Sequence, residues 1–387
     1  KEDSAKEECK LLSSSSSSSS SMETIDIQEL FTRLTLDVFL NIAFGIDLQV
    51  ITNPEKYRAF TEALDEIQSL CHERFNDLFY HIKQRFNLTR REKRIKECAK
   101  IIDDFTYEII DRAQQRRRDD NQPRGENDKI SGNNGIVDED QDVIKGKKSS
   151  QRFDLLSSYI HTANKDDENL SKKELRDSIM TFIFAGRDNT ARALTWVLYD
   201  LTKHPTVTNK VIEEIESKCG VPGDANSDFS FETVVNNLPY LHAVIMESQR
   251  LHPTVPENFR MAVKDDTLPD GTKILAKSCV MYSAYTMNHS ELYWGDDADE
   301  FNPDRFMNRL EPSPYLFPIF NAGYRLCPGK PLALTEIKVT LARLLPSYEF
   351  VDAKNHTGKC RWTITMAMDG GFHVAVRRRE NKAGSRT

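Results

Sequence analysis

The sequence predicts a mostly α, α+β fold, in which long helices carry the core and short strands gather toward the C-terminal half. Three observations predict it. Apolar side chains recur every three to four residues over several stretches, the spacing that lines one face of a helix. Two turn sequences suited to hairpins, Pro269-Asp270-Gly271-Thr272 and Asp369-Gly370-Gly371, lie in the second half of the chain. A chain of 387 residues, 39% hydrophobic and 29% charged, is long enough to bury a large core and polar enough for a soluble globular protein.

Residues 1–23 are polar and include the run Ser13 to Ser21; such a low-complexity tract cannot bury apolar surface and is expected to be disordered. From Ile27 to Phe44, Leu30, Phe31, Leu34, Val38 and Ile42 fall at helical spacing, which predicts a helix ending at Gly45. Two further helices are expected between Pro54 and Arg118, the second rich in charge. Residues 119–150 hold few large apolar side chains and many Asp, Asn, Gly and Lys, the composition of a long disordered surface insertion. Order is expected again from Phe153-Asp154-Leu155-Leu156. Ser171-Lys172-Lys173-Glu174 is a capping box that opens a long helix reaching Lys203, before Pro205. Helices are expected from about Thr206 to Lys218 and from Pro239 to Leu251, stopped by His252-Pro253. β-type segments follow. A C-terminal helix from Pro328 to about Leu345 would carry Leu332, Ile337, Leu341 and Leu344 on one side, and Arg361 to Val376 reads as a closing β-hairpin.

Composition narrows the function. The net charge of −7 gives no basic excess to attract nucleic acid. The seven cysteines are scattered, odd in number and free of Cys-x-x-Cys pairs, which argues for reduced thiols facing the cytosol. No apolar run reaches the length of a membrane-spanning helix, and the best candidate, Leu34 to Ile51, is interrupted by Asp37, Asn41 and Asp47. No signal peptide precedes the polar start Lys1-Glu2-Asp3-Ser4.

The most informative stretch is Phe320-Asn321-Ala322-Gly323-Tyr324-Arg325-Leu326-Cys327-Pro328-Gly329, a glycine-rich loop that presents one cysteine before a helix. A haem iron held by a single thiolate needs such a loop, because the sulfur must be aimed at the metal and its electron density favours O–O cleavage. Gly323 and Gly329 lack a Cβ and let backbone pass close to a flat macrocycle. Arg325 can reach a haem propionate with a forked, charge-assisted hydrogen bond. Pro328 suits the first position of a helix, which would set Cys327 at the positive end of the helix dipole. The plainer reading, one more inert buried thiol, asks nothing of the residues around it.

This loop resembles the haem-binding signature of the cytochrome P-450 superfamily, Phe-x-x-Gly-x-Arg-x-Cys-x-Gly, at all of its fixed positions. The resemblance implies a cytochrome P-450 fold, with a helix-rich domain and a small β region, over residues 24–387. It implies haem b as cofactor, with Cys327 as the iron's axial ligand. Phe320, Gly323, Gly329 and Arg325 would line the cofactor, and Arg260 of Asn258-Phe259-Arg260-Met261 would be a second propionate partner unless it is an exposed strand arginine. Glu247 and Arg250, three apart on one helix, are by themselves a weak signal. With Phe301-Asn302-Pro303-Asp304-Arg305-Phe306, which resembles the family's meander, they imply a buried Glu247–Arg250–Arg305 network that locks the loop before Cys327.

Ala185-Gly186-Arg187-Asp188-Asn189-Thr190 resembles the family's distal-helix motif. Ala185 and Gly186 would leave space for dioxygen, or Gly186 merely packs against a neighbour. Asp188 would relay protons through water. The chain departs from the family at Asn189, which stands where an alcohol is usual: an amide hydrogen-bonds but does not pass a proton as a hydroxyl does. Thr190 lies about 100° further round the helix and is a poor substitute.

The resemblance further implies insertion of one atom of dioxygen into a C–H bond of a lipophilic substrate. The look of Tyr285-Thr286-Met287-Asn288-His289 and Tyr293-Trp294-Gly295-Asp296-Asp297-Ala298 is similar to the fatty-acid omega-hydroxylase branch. Without a dinucleotide fingerprint or P-loop, electrons from NADPH would arrive through a separate cytochrome P-450 reductase or another donor. Lys330, Lys338 and Arg343 would dock that donor or form an ordinary solvated helix face. Relative to the family the front of the chain is missing, so membrane contact at the cytosolic face of the endoplasmic reticulum is expected of the full-length protein only. Two alternatives remain open: a fatty-acid hydroperoxide-rearranging enzyme, favoured by Asn189, and a non-catalytic haem-binding remnant, favoured by the missing front.

Overall fold

A computed structural model describes residues 23–121, 171–307 and 311–379. The long helices follow the apolar periodicity. In chain order the helices are α1 Ile27–Phe44, α2 Pro54–Glu73, α3 Tyr80–Phe86, α4 Arg90–Asn121, α5 Lys172–Lys203 and α6 Pro205–Cys219. They continue with α7 Phe231–Asn236, α8 Pro239–Leu251, α9 Ala284–Asn288, α10 Glu291–Trp294 and α11 Lys330–Leu344. Proline opens α2, α6 and α8, where a missing N–H costs nothing and the fixed φ already suits a helix. The capping box before α5 is made on both sides: Ser171 Oγ accepts from Glu174 N at 3.2 Å, and Glu174 Oε2 accepts from Ser171 N at 2.8 Å. The expected serine tract and Asp/Asn-rich insertion, and the stretch from Phe153 to Leu156, lie outside the described residues.

The described residues fall into two compact units. The first takes the chain up to Glu29, Ala193–Arg361 and everything from Met368 on; the second takes Leu30–Arg192 and Trp362–Ala367. Helix α5 contributes its N-terminal part to the second unit and its C-terminal part to the first.

In the first unit, β1 Glu23–Asp26 and β6 Tyr348–Asp352 flank β9 His373–Arg378 in an antiparallel sheet, with Thr24 opposite Ala375 and Val351 opposite Ala375 on the other edge. β2 Glu257–Met261 pairs with β5 Cys279–Ser283, and β3 Asp266–Thr267 with β4 Lys273–Ile274 across the expected 269–272 turn. The core of this unit is built on α8, in which every residue from Leu241 to Leu251 except His242 is buried.

The closing hairpin is not formed as expected. The turn at 369–371 is present, with Gly370 at φ 79° and Gly371 at φ 81°. Its flanking strands, however, join different sheets: β8 Met366–Met368 pairs with β7 Cys360–Trp362, while β9 pairs with β1 and β6. The reason is a long-range clamp. Gln28 Oε1 accepts from Met368 N at 2.9 Å, and Asp26 Oδ1 accepts from Phe372 N at 3.1 Å, so β1 and the start of α1 take the place the hairpin partner would have.

In the second unit, α2 and α4 pack along their length, with Phe60 stacked on Phe105 at 3.7 Å between ring centres. Between them the sequence predicts nothing, yet a short helix, α3, forms there.

Candidate functional site

The chain approaches Cys327 through two short 3-10 turns, Pro318–Phe320 and Gly323–Arg325. Between and within them Asn321 stands at φ 60° and Gly323 at φ 59°, positive-φ backbone that costs an L side chain strain and a glycine none. The Tyr282 hydroxyl donates to Asn321 Oδ1 at 2.7 Å and ties this bend to β5. Cys327 N–H donates back to Phe320 O at 2.8 Å and closes the loop. The result is a half-buried free thiol on a fixed backbone. A Cβ at Gly329 would stand 3.7 Å from Cys327 Sγ, so the glycine keeps the sulfur's neighbourhood bare. Arg325 is exposed, and its guanidinium makes no hydrogen bond or ion pair with other described residues.

One expectation is corrected here. Helix α11 starts at Lys330 with Gly329 as its N-cap and Pro331 in its first turn. Cys327 therefore lies two residues ahead of the cap, and Pro328 is not in the helix. A turn intervenes, since Lys330 N–H points to Cys327 O at 3.4 Å while Ala333 N–H takes Gly329 O at 2.9 Å.

The expected Glu247–Arg250–Arg305 network is present. Glu247 and Arg250 are both fully buried and joined by a fork, Nε to Oε2 and Nη2 to Oε1, each at 2.8 Å. Arg305 Nε lies 3.4 Å from Glu247 Oε1. Arg250 also donates to the carbonyls of Asn288 at 2.7 Å and Glu300 at 3.0 Å, and lies over the Trp294 ring. Arg305 donates to the carbonyls of Trp294 at 2.9 Å and Asp297 at 3.0 Å, and pairs with the Asp297 carboxylate. The Arg305 hydrogen bond holds the Asp297 carboxyl below its ordinary value. Removing one member of such a network typically costs about 3–5 kcal/mol, because a buried charge is left alone.

How the network reaches the cysteine is visible in packing. Trp294 meets Phe317 edge-on at 5.6 Å between ring centres, and Phe306 lies 5.5 Å from Phe317. Met246, Ala298, Ile319 and Leu334 complete the cluster. Phe317 immediately precedes the first 3-10 turn of the cysteine loop, and Leu334 belongs to α11. The sequence drew attention to the stretch holding Trp294 and Asp297 only for a resemblance, not for this role, and Phe317 was not singled out; folding brings them together with Glu247 and Arg250.

The motif on α5 lies in the second unit. Gly186 does not open space. A Cβ there would come within 2.2 Å of the Phe39 ring of α1, which already fills the notch. The packing explanation for this glycine is therefore the one the structure bears out. Asp177, Thr181 and Ala185 make an exposed stripe at four-residue steps, and Asn189 continues it, half-buried. Asn189 Nδ2 donates to Ala185 O at 3.2 Å, while its Oδ1 is shielded and has no partner among the described residues. Thr190 is 3% exposed and turned away from that stripe, and Asp188 is 1% exposed. Both Asp188 oxygens are held: Oδ1 by Arg187 Nη1 at 2.6 Å, Oδ2 by Gln68 Nε2 at 2.5 Å.

The other singled-out cations are less available than expected. Lys338 is 7% exposed and donates to Val235 O at 2.7 Å, and burial pulls its amine below the ordinary range. Lys330 pairs with Glu311 at 2.9 Å, and Arg343 lies over the Phe229 ring. Lys338 serves the packing of α11 against the end of α7 and is not part of a solvated face. Arg260 is an exposed strand arginine that donates to the Phe259 carbonyl at 2.8 Å and joins none of these groups. On α11, burial alone pushes the Glu336 carboxyl up to about 8, and its Oε1 has no partner among the described residues.

Three features fit a thiolate-held haem: the free thiol on a closed loop, the bare Gly329 beside it, and an unpaired arginine two residues before it. The comparisons agree with that fit. The family model described as Cytochrome P-450 matches residues 2–366. The chain is 32% identical over 380 residues to cytochrome P-450 704C1 of Pinus taeda, covering 92% of this chain and 68% of that protein. It is 31% identical over 382 residues to cytochrome P-450 704B1 of Arabidopsis thaliana, covering 92% of this chain and 70% of that protein. Cytochrome P-450 94A1 of Vicia sativa is 28% identical over 371 residues, with 64% of its length covered.

Two outcomes follow from this geometry. Gly186→Ala gains helix propensity of about 1 kcal/mol but collides with Phe39; a net loss of about 1–2 kcal/mol is expected by thermal melting, and adding Phe39→Leu should recover part of it. Glu336 has a folded-state pKa near 8, above its unfolded value, so the folded state holds the extra proton and stability falls as pH rises from about 4.5 to about 8. Glu336→Gln should therefore melt higher than the parent at pH 8, with the two curves meeting below about pH 4.5.

Proposed function

The chain belongs to the cytochrome P-450 family, and from that premise we propose that it inserts one atom of dioxygen into a C–H bond of a lipophilic substrate, a long-chain fatty acid or related lipid. The observation that carries the reading is the closed loop from Phe320 to Gly329, which offers one free thiol and one unpaired guanidinium on the same short segment. Cys327 Sγ would hold the iron and Arg325 a haem propionate. When bound, thiolate-ligated haem supplies the oxygen chemistry, the sulfur's electron density favouring O–O cleavage.

The remaining work falls to the chain. Glu247, Arg250 and Arg305 hold the carbonyls of residues 288–300, and through Trp294 and Phe317 they keep the cysteine loop from shifting. Asp188 holds a carboxylate shielded from bulk water, whose Oδ atoms would accept a proton from an ordered water and hand it on. Asn189 offers an acceptor, Oδ1, on the half-open stripe of α5; its Nδ2 is already committed to Ala185 O. Electrons come from NADPH through a reductase, as is usual where haem-thiolate chemistry is not fed by a peroxide.

Asn189 favours a second reading. A position that accepts but neither donates freely nor carries a hydroxyl suits a substrate that brings its own O–H, such as a fatty-acid hydroperoxide. Supplying that hydroperoxide without any reductase separates the two: turnover favours rearrangement, and silence favours oxygen insertion.

The endoplasmic reticulum surface, cytosolic face, is the proposed location. None of the described helices is long and apolar enough to cross a membrane. The segment around α3 nevertheless exposes Phe75, Leu78, Phe79, Ile82, Phe86 and Leu88 within fourteen residues, alongside the exposed cations Arg85 and Arg90, while Lys83 is paired with Asp77. That surface supports contact with an anionic bilayer by this part of the chain itself.

Cys327→Ser is expected to abolish the thiolate signature in the spectrum of the reduced, carbon-monoxide-bound protein, along with turnover; an unchanged spectrum would remove the basis of this assignment. Replacing Leu78 and Phe79 together by Ser should reduce co-sedimentation with phosphatidylserine-containing vesicles several-fold, leaving that spectrum intact.

A further inference from the structure

We propose that Gln68 of α2 is a positioning residue for Asp188, holding the carboxylate in the one orientation from which it serves the reaction. The inference rests on the reading of Asp188 as the group that manages protons, and it names a second residue on which that role depends.

Gln68 is 4% exposed. Burying a side-chain amide costs free energy unless its polar atoms are bonded. Its Nε2 donates to Asp188 Oδ2 at 2.5 Å and more weakly to Leu64 O at 3.4 Å, within its own helix. One turn earlier on α2, Asp65 Oδ1 accepts from Arg187 Nη1 at 2.9 Å, and the same nitrogen reaches Asp188 Oδ1 at 2.6 Å. Asp65 and Gln68 thus grip two adjacent residues of α5. Burial opposes the Arg187 charge, but Asp188 and Asp65 outweigh it, and the guanidinium remains charged. Thr35 Oγ1 adds a hydrogen bond to the Arg187 carbonyl at 2.7 Å.

The division of labour follows from helix geometry. Arg187 and Asp188 are neighbours on one helix and point about 100° apart. Arg187 therefore draws the carboxylate sideways around the α5 axis. Gln68 is the one described donor that reaches the other oxygen from a different helix. Without it the carboxylate loses its second anchor and turns toward Arg187. What matters is that position 68 donates: an ionised carboxylate of the same shape would repel Asp188 there, whereas a protonated one would donate and restore the contact.

That difference makes the test. Gln68→Leu, Gln68→Glu and Asp188→Asn are compared with the parent in the full-length, haem-loaded protein. The first readout is melting temperature from pH 5 to pH 8. Q68E is expected to lose stability relative to the parent as pH rises and the facing carboxyls give up their shared proton, while the offset of Q68L stays constant with pH. The second is product formed per NADPH consumed with the reductase. Q68L and D188N are expected to lower it several-fold. Q68E should match Q68L at pH 8 and recover toward the parent at pH 6. If Q68L does not fold, the isosteric Q68E carries both readouts.

Parallel melting of Q68E and the parent across pH would overturn the contact. Parental coupling in both Gln68 variants, with coupling lost in D188N, would overturn the positioning role and leave the reading of Asp188 standing. Parental coupling in D188N would overturn both.

Discussion

The pairing of Glu247 with Arg250, deep inside the first unit, is the interaction on which the cysteine loop depends. Two opposite charges with no exposure to water would each be stranded without the other, so their fork must form for α8 to be buried at all. Once formed, it leaves Arg250 with spare N–H groups in a dry interior. These fix the carbonyls of Asn288 and Glu300, and Arg305 fixes those of Trp294 and Asp297. A stretch with little regular structure thereby acquires a defined path, and the Trp294–Phe306–Phe317 ring cluster passes that path to the cysteine loop.

The second unit uses charge differently. Arg187 and Asp188 are as buried as the Glu247–Arg250 pair, but their partners come from α2 and reach toward solvent through Asp65, whose side chain is 43% exposed. The pair is therefore anchored from one side by a buried amide, Gln68, and from the other by a carboxylate at the surface. Beside it, Phe39 occupies the space left by Gly186, so the small residue serves close packing of α1 on α5. The open stripe of α5 instead carries Ala185 and Asn189.

Much of this was legible in the sequence because it is local. The bounds of α1 and α8, the capping box before α5 and the 269–272 turn all follow from side chains within a few residues of one another. The hydrogen bond that closes the cysteine loop is local as well, made between Phe320 O and Cys327 N–H. The Glu247–Arg250–Arg305 network was legible by resemblance: spacing gave the first pair, and the third member came from the shape of a motif downstream. Where local reading failed, a competing turn or a distant residue had intervened. Pro328 could have begun α11, but the turn from Cys327 to Lys330 delayed it. Residues 361–376 could have paired as one hairpin about Asp369-Gly370-Gly371, but Gln28 and Asp26 captured the turn.

The sequence by itself therefore determined the long helices, the thiol-bearing loop and the membership of a haem-thiolate family, because periodicity, caps and a ten-residue motif are written in neighbouring side chains. Only the tertiary structure decided what the midpoint of α5 does. Gln68 meets Asp188 across 120 residues, and Phe39 lies against a glycine nearly 150 residues away. Lys338 similarly looks like a solvated lysine until α7 presents Val235 O to it. Contacts at such separations leave no periodic trace, since a donor, a ring or a carbonyl is assigned its partner only when helices pack.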